Sequence, residues 1–466
     1  MLAPTFTPAR ADEYRAPGGG WDCPSLDALL TRVASPELQA SVARVAGGLR
    51  AFGLGPGDAV AWQSHNRPEV AVLYRACWRL GAIAAPLHHQ IGATERQAML
   101  DRVHPALVIE DLDALPEGEP VDPLWADAQQ LAAVLFTSGS SGPPKGVLHT
   151  QATLAYKAQL MAGVHELGAD DCVLMPAPCA HISGLLNGIT VPGVVPFRTV
   201  MMDRWDPERA VALIERERVT FMIGPPTFFV SLMAAPAFTA ERVASLRLVS
   251  SGGAGVSAAF VDEASERLGA HVKRTYGSTE APTIATSSGG DSDVDARRHD
   301  GRAIGAVELR LAADGELEVR GPEVCVGYLD RAETAAAFTD DGWFRTGDLA
   351  TLDDGWLTIV GRKKDVIIRG GENISTAEVE SVLEAHPVVR QAVVVGYPDA
   401  LMGERVAAFV VAPESFDIDV CRAWFAARGV ARFKTPERLV AVASLPVLPT
   451  GKPDRNALRE RLLAPR

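Results

Sequence analysis

Short apolar strands alternate with amphipathic helices along most of this chain, and that alternation restricts the folds open to it. Ala59-Val-Ala-Trp-Gln63 reads as a strand, Pro68 to Leu80 as an amphipathic helix, and Ala82-Ile-Ala-Ala-Pro-Leu87 as a second buried strand. Strands separated by helices are joined by right-handed crossovers and lie mainly parallel. Ahead of them, Leu26, Leu29, Leu30, Val33, Leu38, Val42, Val45 and Leu49 recur at helical spacing until Gly53-Leu-Gly-Pro-Gly57, which predicts one helix feeding a turn. The alternation continues through Val173-Leu-Met-Pro176, the helix near Pro207 to Arg218, Thr220 to Gly224 and Leu246 to Gly253. Each of these strands ends in a Gly- or Pro-rich turn, and ligands of open α/β sheets lie beyond the carboxyl ends of the strands.

From Gly315 the pattern changes to short half-exposed segments, Glu316-Leu-Glu-Val-Arg320 and Trp356-Leu-Thr-Ile-Val360, which predict antiparallel strands. A charged break at Gly361-Arg-Lys-Lys-Asp365 precedes a compact α+β pattern: helix Ser375 to Ala385, strands Gln391 to Gly396 and Val406 to Val411, helix Val420 to Arg428, strand Arg438 to Val442. The expected division is a large α/β domain over 1–362 and a small α+β domain over 363–466. No internal repeat is visible.

Composition narrows the function. The 466 residues carry 58 acidic and 45 basic side chains, a formal charge of −13, which disfavours nucleic acid and anionic membranes as partners. The first 20 residues lack an apolar leader, and no run of about 18 apolar residues occurs, so a cytoplasmic protein without a membrane span is expected. The six cysteines form no Cys-x-x-Cys pair, and the His88-His89 pair has no i, i+4 partner to complete a metal site. No structural metal is expected.

Thr137-Ser-Gly-Ser-Ser-Gly-Pro-Pro-Lys-Gly-Val147 directly follows the apolar run Leu131 to Phe136 and reads as a phosphate loop. Glycines such as Gly139 and Gly142 let backbone N–H groups approach phosphates, the hydroxyls of Thr137, Ser138, Ser140 and Ser141 donate further bonds, and Lys145 supplies positive charge. The Walker A spacing cannot be laid over it, because Lys145 follows Pro-Pro and precedes Gly146.

This segment resembles the phosphate loop of the adenylate-forming superfamily, which includes acyl-CoA synthetases, peptide-synthetase adenylation domains and luciferases. Further motifs follow in that family's order. Ser251-Gly252-Gly253-Ala254-Gly255 is similar to its adenine-contacting turn, and Thr275-Tyr276-Gly277-Ser278-Thr279-Glu280 to its next block. The resemblance implies that Tyr276 stacks on adenine, that Thr279 contacts the α-phosphate, and that Glu280 with Thr137 holds Mg²⁺. Trp343-Phe-Arg-Thr-Gly-Asp348 and Gly361-Arg362 resemble the ribose contacts, in which Asp348 accepts from the two hydroxyls and Arg362 reinforces them. Lys364 falls at the family's hinge, Gly370-Gly371 on its thiol-tunnel loop, and Lys452, in Leu445-Pro-Val-Leu-Pro-Thr-Gly-Lys452, on its catalytic loop.

The resemblance spans about Leu49 to Leu458. Ser140-Ser141 stands where the family usually has two threonines, and only 47 residues separate His89 from the phosphate loop at Thr137. The implied fold is a large adenylation domain of mainly parallel sheets with a distorted β-barrel-like part, followed by a small mobile domain. The implied activity is that of an AMP-forming acyl-CoA synthetase, a monomer or homodimer using ATP, Mg²⁺ and coenzyme A. His181, Phe229 and Gly253 are candidate walls of the acyl pocket; they are mostly apolar, and no Asp stands where amino-acid-activating relatives grip an amino group, so a fatty, alicyclic or aryl acid is favoured. An acyl-AMP ligase loading a carrier protein, a luciferase-like oxygenase and a nucleotide-binding protein without turnover are the alternatives.

Overall fold

The computed structural model describes residues 2–22, 25–123, 127–137, 144–288, 291, 293–448 and 452–463. Ser138, Gly139, Ser140, Ser141 and Gly142 of the expected phosphate loop lie outside the described residues, as does Cys23.

Three sheets organise the chain. The first runs Leu107–Ile109, Ala59–Ser64, Ile83–His88, Leu131–Thr137, Lys145–Thr150; its first four strands are parallel and the last returns antiparallel. The second has a parallel half, ordered Arg198–Met201, Cys172–Met175, Phe221–Gly224, Leu248–Gly252, His271–Tyr276. Strands buried on both faces need near-continuous apolar runs, and Cys172–Met175 and Phe221–Gly224 are buried throughout. Ala285–Thr286 and Gly301–Ala303 then join this half to four antiparallel strands, Trp356–Arg362, Phe344–Asp353, Glu316–Arg320 and Glu308–Leu311. The expected barrel-like part is therefore the antiparallel flank of one open eleven-stranded sheet, with no closed barrel among the described residues. Its strands remain tied to the parallel half through the Gly301↔Leu357 pairing, so they form a flank and do not curl onto themselves.

The third sheet contains Glu372–Ile374, Ile367–Arg369, Gly403–Val411 and Gln391–Asp399, with Arg438–Ala441 pairing parallel to Gly403–Val411. It surrounds its own apolar core of Ile374, Leu383, Val394, Val410 and Phe425.

The single helix expected from Ser25 to Gly53 is two helices, Leu26–Thr31 and Pro36–Ala51. Ser35 and Pro36 explain the break: the Ser35 hydroxyl accepts from Leu38 N, and proline is favoured only in a first turn. The apolar period continues across the gap because both helices pack on the same core around Trp62 and Trp78.

Lys157 and Glu323 form an ion pair at 3.2 Å with neither side chain exposed, and the Lys157 ammonium also donates to the Thr283 carbonyl at 2.6 Å. Removing one partner leaves the other charge buried, which costs roughly 3–5 kcal/mol. Lys157→Met is therefore expected to lower the denaturation midpoint sharply, and Lys157→Met with Glu323→Leu to recover much of the loss. A chemical-denaturation series on both variants checks this.

Candidate active site

Tyr276 ends a strand of the parallel half, while Asp348 and Arg362 face each other across the antiparallel flank as registered partners. The Tyr276 hydroxyl donates to Asp348 Oδ2 at 2.6 Å, and Arg362 Nε stands 3.0 Å from Asp348 Oδ1. Asp348 is buried, and burial, followed by the Asp348 charge, pushes the Tyr276 phenol well above its ordinary value, so the phenol stays protonated. The Asp348 carboxylate is thus oriented from both sides. It opens onto a cleft of about 330 Å³ lined by Thr346, Gly347, Asp348, Arg362, Lys363 and Lys364.

Glycine is obligatory where this site folds back on itself. A Cβ at Gly252 would meet the Thr275 carbonyl oxygen at 2.2 Å, and one at Gly277 would meet Thr283 N at the same distance. Ala254 and Ser278 flank these turns, and the Ser278 hydroxyl accepts from Ala281 N. Thr275 is buried and Thr279 half-buried beside them.

Glu280 sits opposite the end of the expected phosphate loop. Thr137 and Lys145 are cross-strand partners at the end of their hairpin where the connecting loop begins and ends. The Lys145 ammonium lies 5.1 Å from the centre of the Tyr328 ring, whose hydroxyl donates to Glu280 Oε1 at 2.8 Å. Hard oxygen donors of this kind suit Mg²⁺, which takes one or two protein oxygens and completes its shell with phosphate and water. Glu280 is one such donor, and among the described residues no group of three or more His, Cys, Asp or Glu could hold a metal ion.

Lys452 projects from the small domain to this face. A Cβ on Gly253 would lie 3.5 Å from Lys452 Cε. Burial pushes the ammonium down to about 8; the Arg362 charge adds to this, and the Asp348 and Glu280 carboxylates oppose it. Its loop is closed by Leu448 N donating to the Lys452 carbonyl at 2.7 Å, and the following helix is anchored where Arg455 donates to Glu380 at 2.6 Å. Arg455 and Arg459 also approach Asp365, at 3.8 and 3.5 Å. Lys364 lies exposed in the single turn Lys363–Asp365 between the second and third sheets.

Gly370 and Gly371 form a two-residue hairpin between Ile367–Arg369 and Glu372–Ile374, with φ of 59° and 91°. Such a turn needs positive φ at both positions. His181 immediately precedes the short helix Ile182–Leu185, without a side-chain capping bond, and feels the Lys452 charge. Phe229 has no exposed surface and packs in the core with Val249 and Phe260.

Sequence reasoning did not single out His149. It is fully buried, its Nε2 stands 2.7 Å from the Thr279 carbonyl, and burial lowers it to about 4. A carbonyl only accepts, so Nε2 carries the proton and the imidazole holds the Thr279-Glu280 turn. Tyr328 was missed as well. Both sit where only tertiary pairing brings them to the site, 130 and 48 residues from their partners.

The sequence matches AMP-binding enzyme over residues 31–123 and 110–329, and AMP-binding enzyme C-terminal domain over 378–452. Among curated proteins it is 31% identical to a medium-chain fatty-acid–CoA ligase of Escherichia coli (strain K12), over 89% of this chain and 83% of that protein. It is 32% identical to an indoleacetate–CoA ligase of Aromatoleum aromaticum, over 91% and 92%. Among solved structures, o-succinylbenzoate CoA synthetase (MenE) from Bacillus subtilis, in complex with its acyl-adenylate intermediate, superposes with a TM-score of 0.82 at 27% identity, covering 95% and 99% of the two chains. ATP-bound MatB from Rhodopseudomonas palustris gives 0.81 at 29% identity, over 91% and 92%.

The chain belongs to the AMP-binding enzyme family, the adenylate-forming enzymes. Its class is that of the AMP-forming acid–thiol ligases.

Proposed function

We propose that the protein activates a carboxylic acid of apolar body (fatty, alicyclic or aryl) as its acyl-adenylate and transfers the acyl group to coenzyme A. The observation that carries this reading is Lys452 of the small domain lodged against Gly253, on the face that also holds Tyr276, Asp348, Arg362 and Glu280. Relatives named as CoA ligases for a medium-chain fatty acid and for indoleacetate support the acceptor and the breadth of acids.

In the first step an acid oxygen attacks the α-phosphorus of ATP and pyrophosphate leaves. Two anions must meet in line, so the barrier falls through positioning and charge neutralisation. Asp348 accepts from the ribose hydroxyls, held by Tyr276 and Arg362. Thr279 reaches the α-phosphate, the loop from Thr137 to Lys145 binds the outer phosphates, and Lys452 bridges the reacting oxygens. Mg²⁺, when bound through Glu280 and Thr137, neutralises phosphate charge.

In the second step the CoA thiol attacks the acyl carbonyl, its proton is lost, and AMP leaves. The Lys452 loop and a pantetheine arm cannot share one face. Rotation about the turn at Lys364 would exchange that loop for the Gly370-Gly371 hairpin. Thiolation assays with free CoA and with phosphopantetheinyl carrier protein test the acceptor. Acyl-CoA formation supports the reading; transfer to the carrier alone refutes it.

Lys452 also sets a pH dependence. Its ammonium, depressed to about 8, carries the charge below that pH and loses it above. The kcat/KM for ATP, which reports the free enzyme, is expected to fall as pH rises through about 8. Lys452→Arg should move that limb to higher pH.

A further inference from the structure

Four histidines meet at the seam between the first and second sheets. His65 follows strand Ala59–Ser64, His88 ends strand Ile83–His88 with His89 just beyond, and His181 lies past strand Cys172–Met175. All four therefore stand at carboxyl ends of parallel strands, where open α/β sheets bind ligands. Their rings form a row, with centroids 5.1 Å apart from His181 to His88, 4.3 Å from His88 to His89, and 4.1 Å from His89 to His65. The row begins at His181, which feels the Lys452 charge, and ends at exposed His65.

This arrangement is built into the fold. Asn66 staples the two sheets, donating to the Met175 and Ala177 carbonyls and accepting from Cys179 N at 2.7 Å. Gln63 donates to the His88 carbonyl at 3.1 Å and to that of Ile91 at 3.0 Å, fixing the backbone around the histidine pair. Yet His88 Nε2, both ring nitrogens of His89 and His181 Nε2 are buried without a hydrogen-bond partner among the described residues. Buried polar atoms left unpaired are costly, so such a cluster calls for a ligand that pairs with them. A metal is a poor fit, since no group of three or more ligating side chains converges among the described residues.

Burial holds His88 down to about 3 and His89 and His181 to about 4. At neutral pH each is an uncharged imidazole with one N–H donor and one acceptor. Such rings match a neutral oxygen better than a second carboxylate, and Asp203 and Arg204 act on His89 with opposite sign.

We propose that this row lines the distal part of the acyl site and selects acids that carry a neutral oxygen, a ketone or hydroxyl, on an otherwise apolar body remote from the reacting carboxylate. This rests on the acid-activating reading above and specifies its substrate class. Sites that hydrogen-bond a substrate oxygen reject analogues lacking it, because their own polar groups are then left unpaired.

The test uses matched acids: cyclohexanepropanoate with its ring-ketone analogue, and phenylpropanoate with its para-hydroxy analogue. For each pair, kcat/KM of acid-dependent pyrophosphate exchange and Kd by calorimetry are measured on the full chain and on His88→Phe, His89→Phe and His89→Gln. The wild type is expected to prefer an oxygenated member by about tenfold or more. The Phe variants should bring that ratio near one, and His89→Gln, which keeps a donor, should retain part of it. Equal use of both members by the wild type, or an unchanged ratio in both folded Phe variants, overturns the proposal. A preference seen in calorimetry without exchange for any acid upholds the site and refutes the adenylation reading instead; no preference in either measurement refutes the site.

Discussion

Lys452→Ala is expected to lower acid-dependent pyrophosphate exchange by at least about a hundredfold, the scale on which removal of one preorganised charge-stabilising group acts. Thiolation of preformed acyl-AMP should change only a few-fold. The asymmetry follows from the proposed roles: Lys452, which follows the third sheet in sequence, lies against Gly253 and within the field of Asp348 and Glu280. If the small domain moves away for the second step, that step no longer meets the side chain. Single-turnover assays of each half-reaction separate the two, and equal loss of both would refute the assignment.

Asp348→Ala should have the next largest effect. The carboxylate receives the Tyr276 hydroxyl and the Arg362 guanidinium in addition to its proposed ribose contacts. Hydrogen bonds to a charged group contribute about 1.5–3 kcal/mol each, so loss of the ribose pair predicts a fall of roughly 10²–10⁴ in kcat/KM for ATP. The fall should appear mainly as a raised KM for ATP, with the KM for the acid little changed. Tyr276 loses its buried acceptor as well, so a fall in thermal midpoint should accompany it. Tyr276→Phe, which leaves Asp348 and Arg362 paired, should be much milder on both readouts.

Much of the candidate site was legible because its residues lie in short segments whose spacing is itself the signal. Thr275 to Glu280 spans one strand end and turn, and Trp343 to Asp348 the entry into another strand; nearby glycines are demanded by close backbone approaches such as Gly252 against Thr275. Alternating strands and helices likewise made the parallel sheets readable. What escaped was set by contacts between distant segments. His149 on Thr279 and Tyr328 on Glu280 have no local signature, since a histidine or tyrosine in an apolar strand reads as core. The histidine row has no local signature either: His88-His89 lacks an i, i+4 partner in sequence, and its neighbours His65 and His181 come from beyond other strands. Local chemistry was overlooked once, at Ser35-Pro36, where a capping serine and a first-turn proline divide what apolar periodicity alone reads as one helix.

The most direct test of adenylate formation is isotope exchange between pyrophosphate and ATP, measured with a panel of fatty, alicyclic and aryl carboxylates, each with and without Mg²⁺. Adenylation chemistry predicts exchange that requires both an acid and Mg²⁺ and is lost in Lys452→Ala. Binding of ATP without acid-dependent exchange across the whole panel would contradict it.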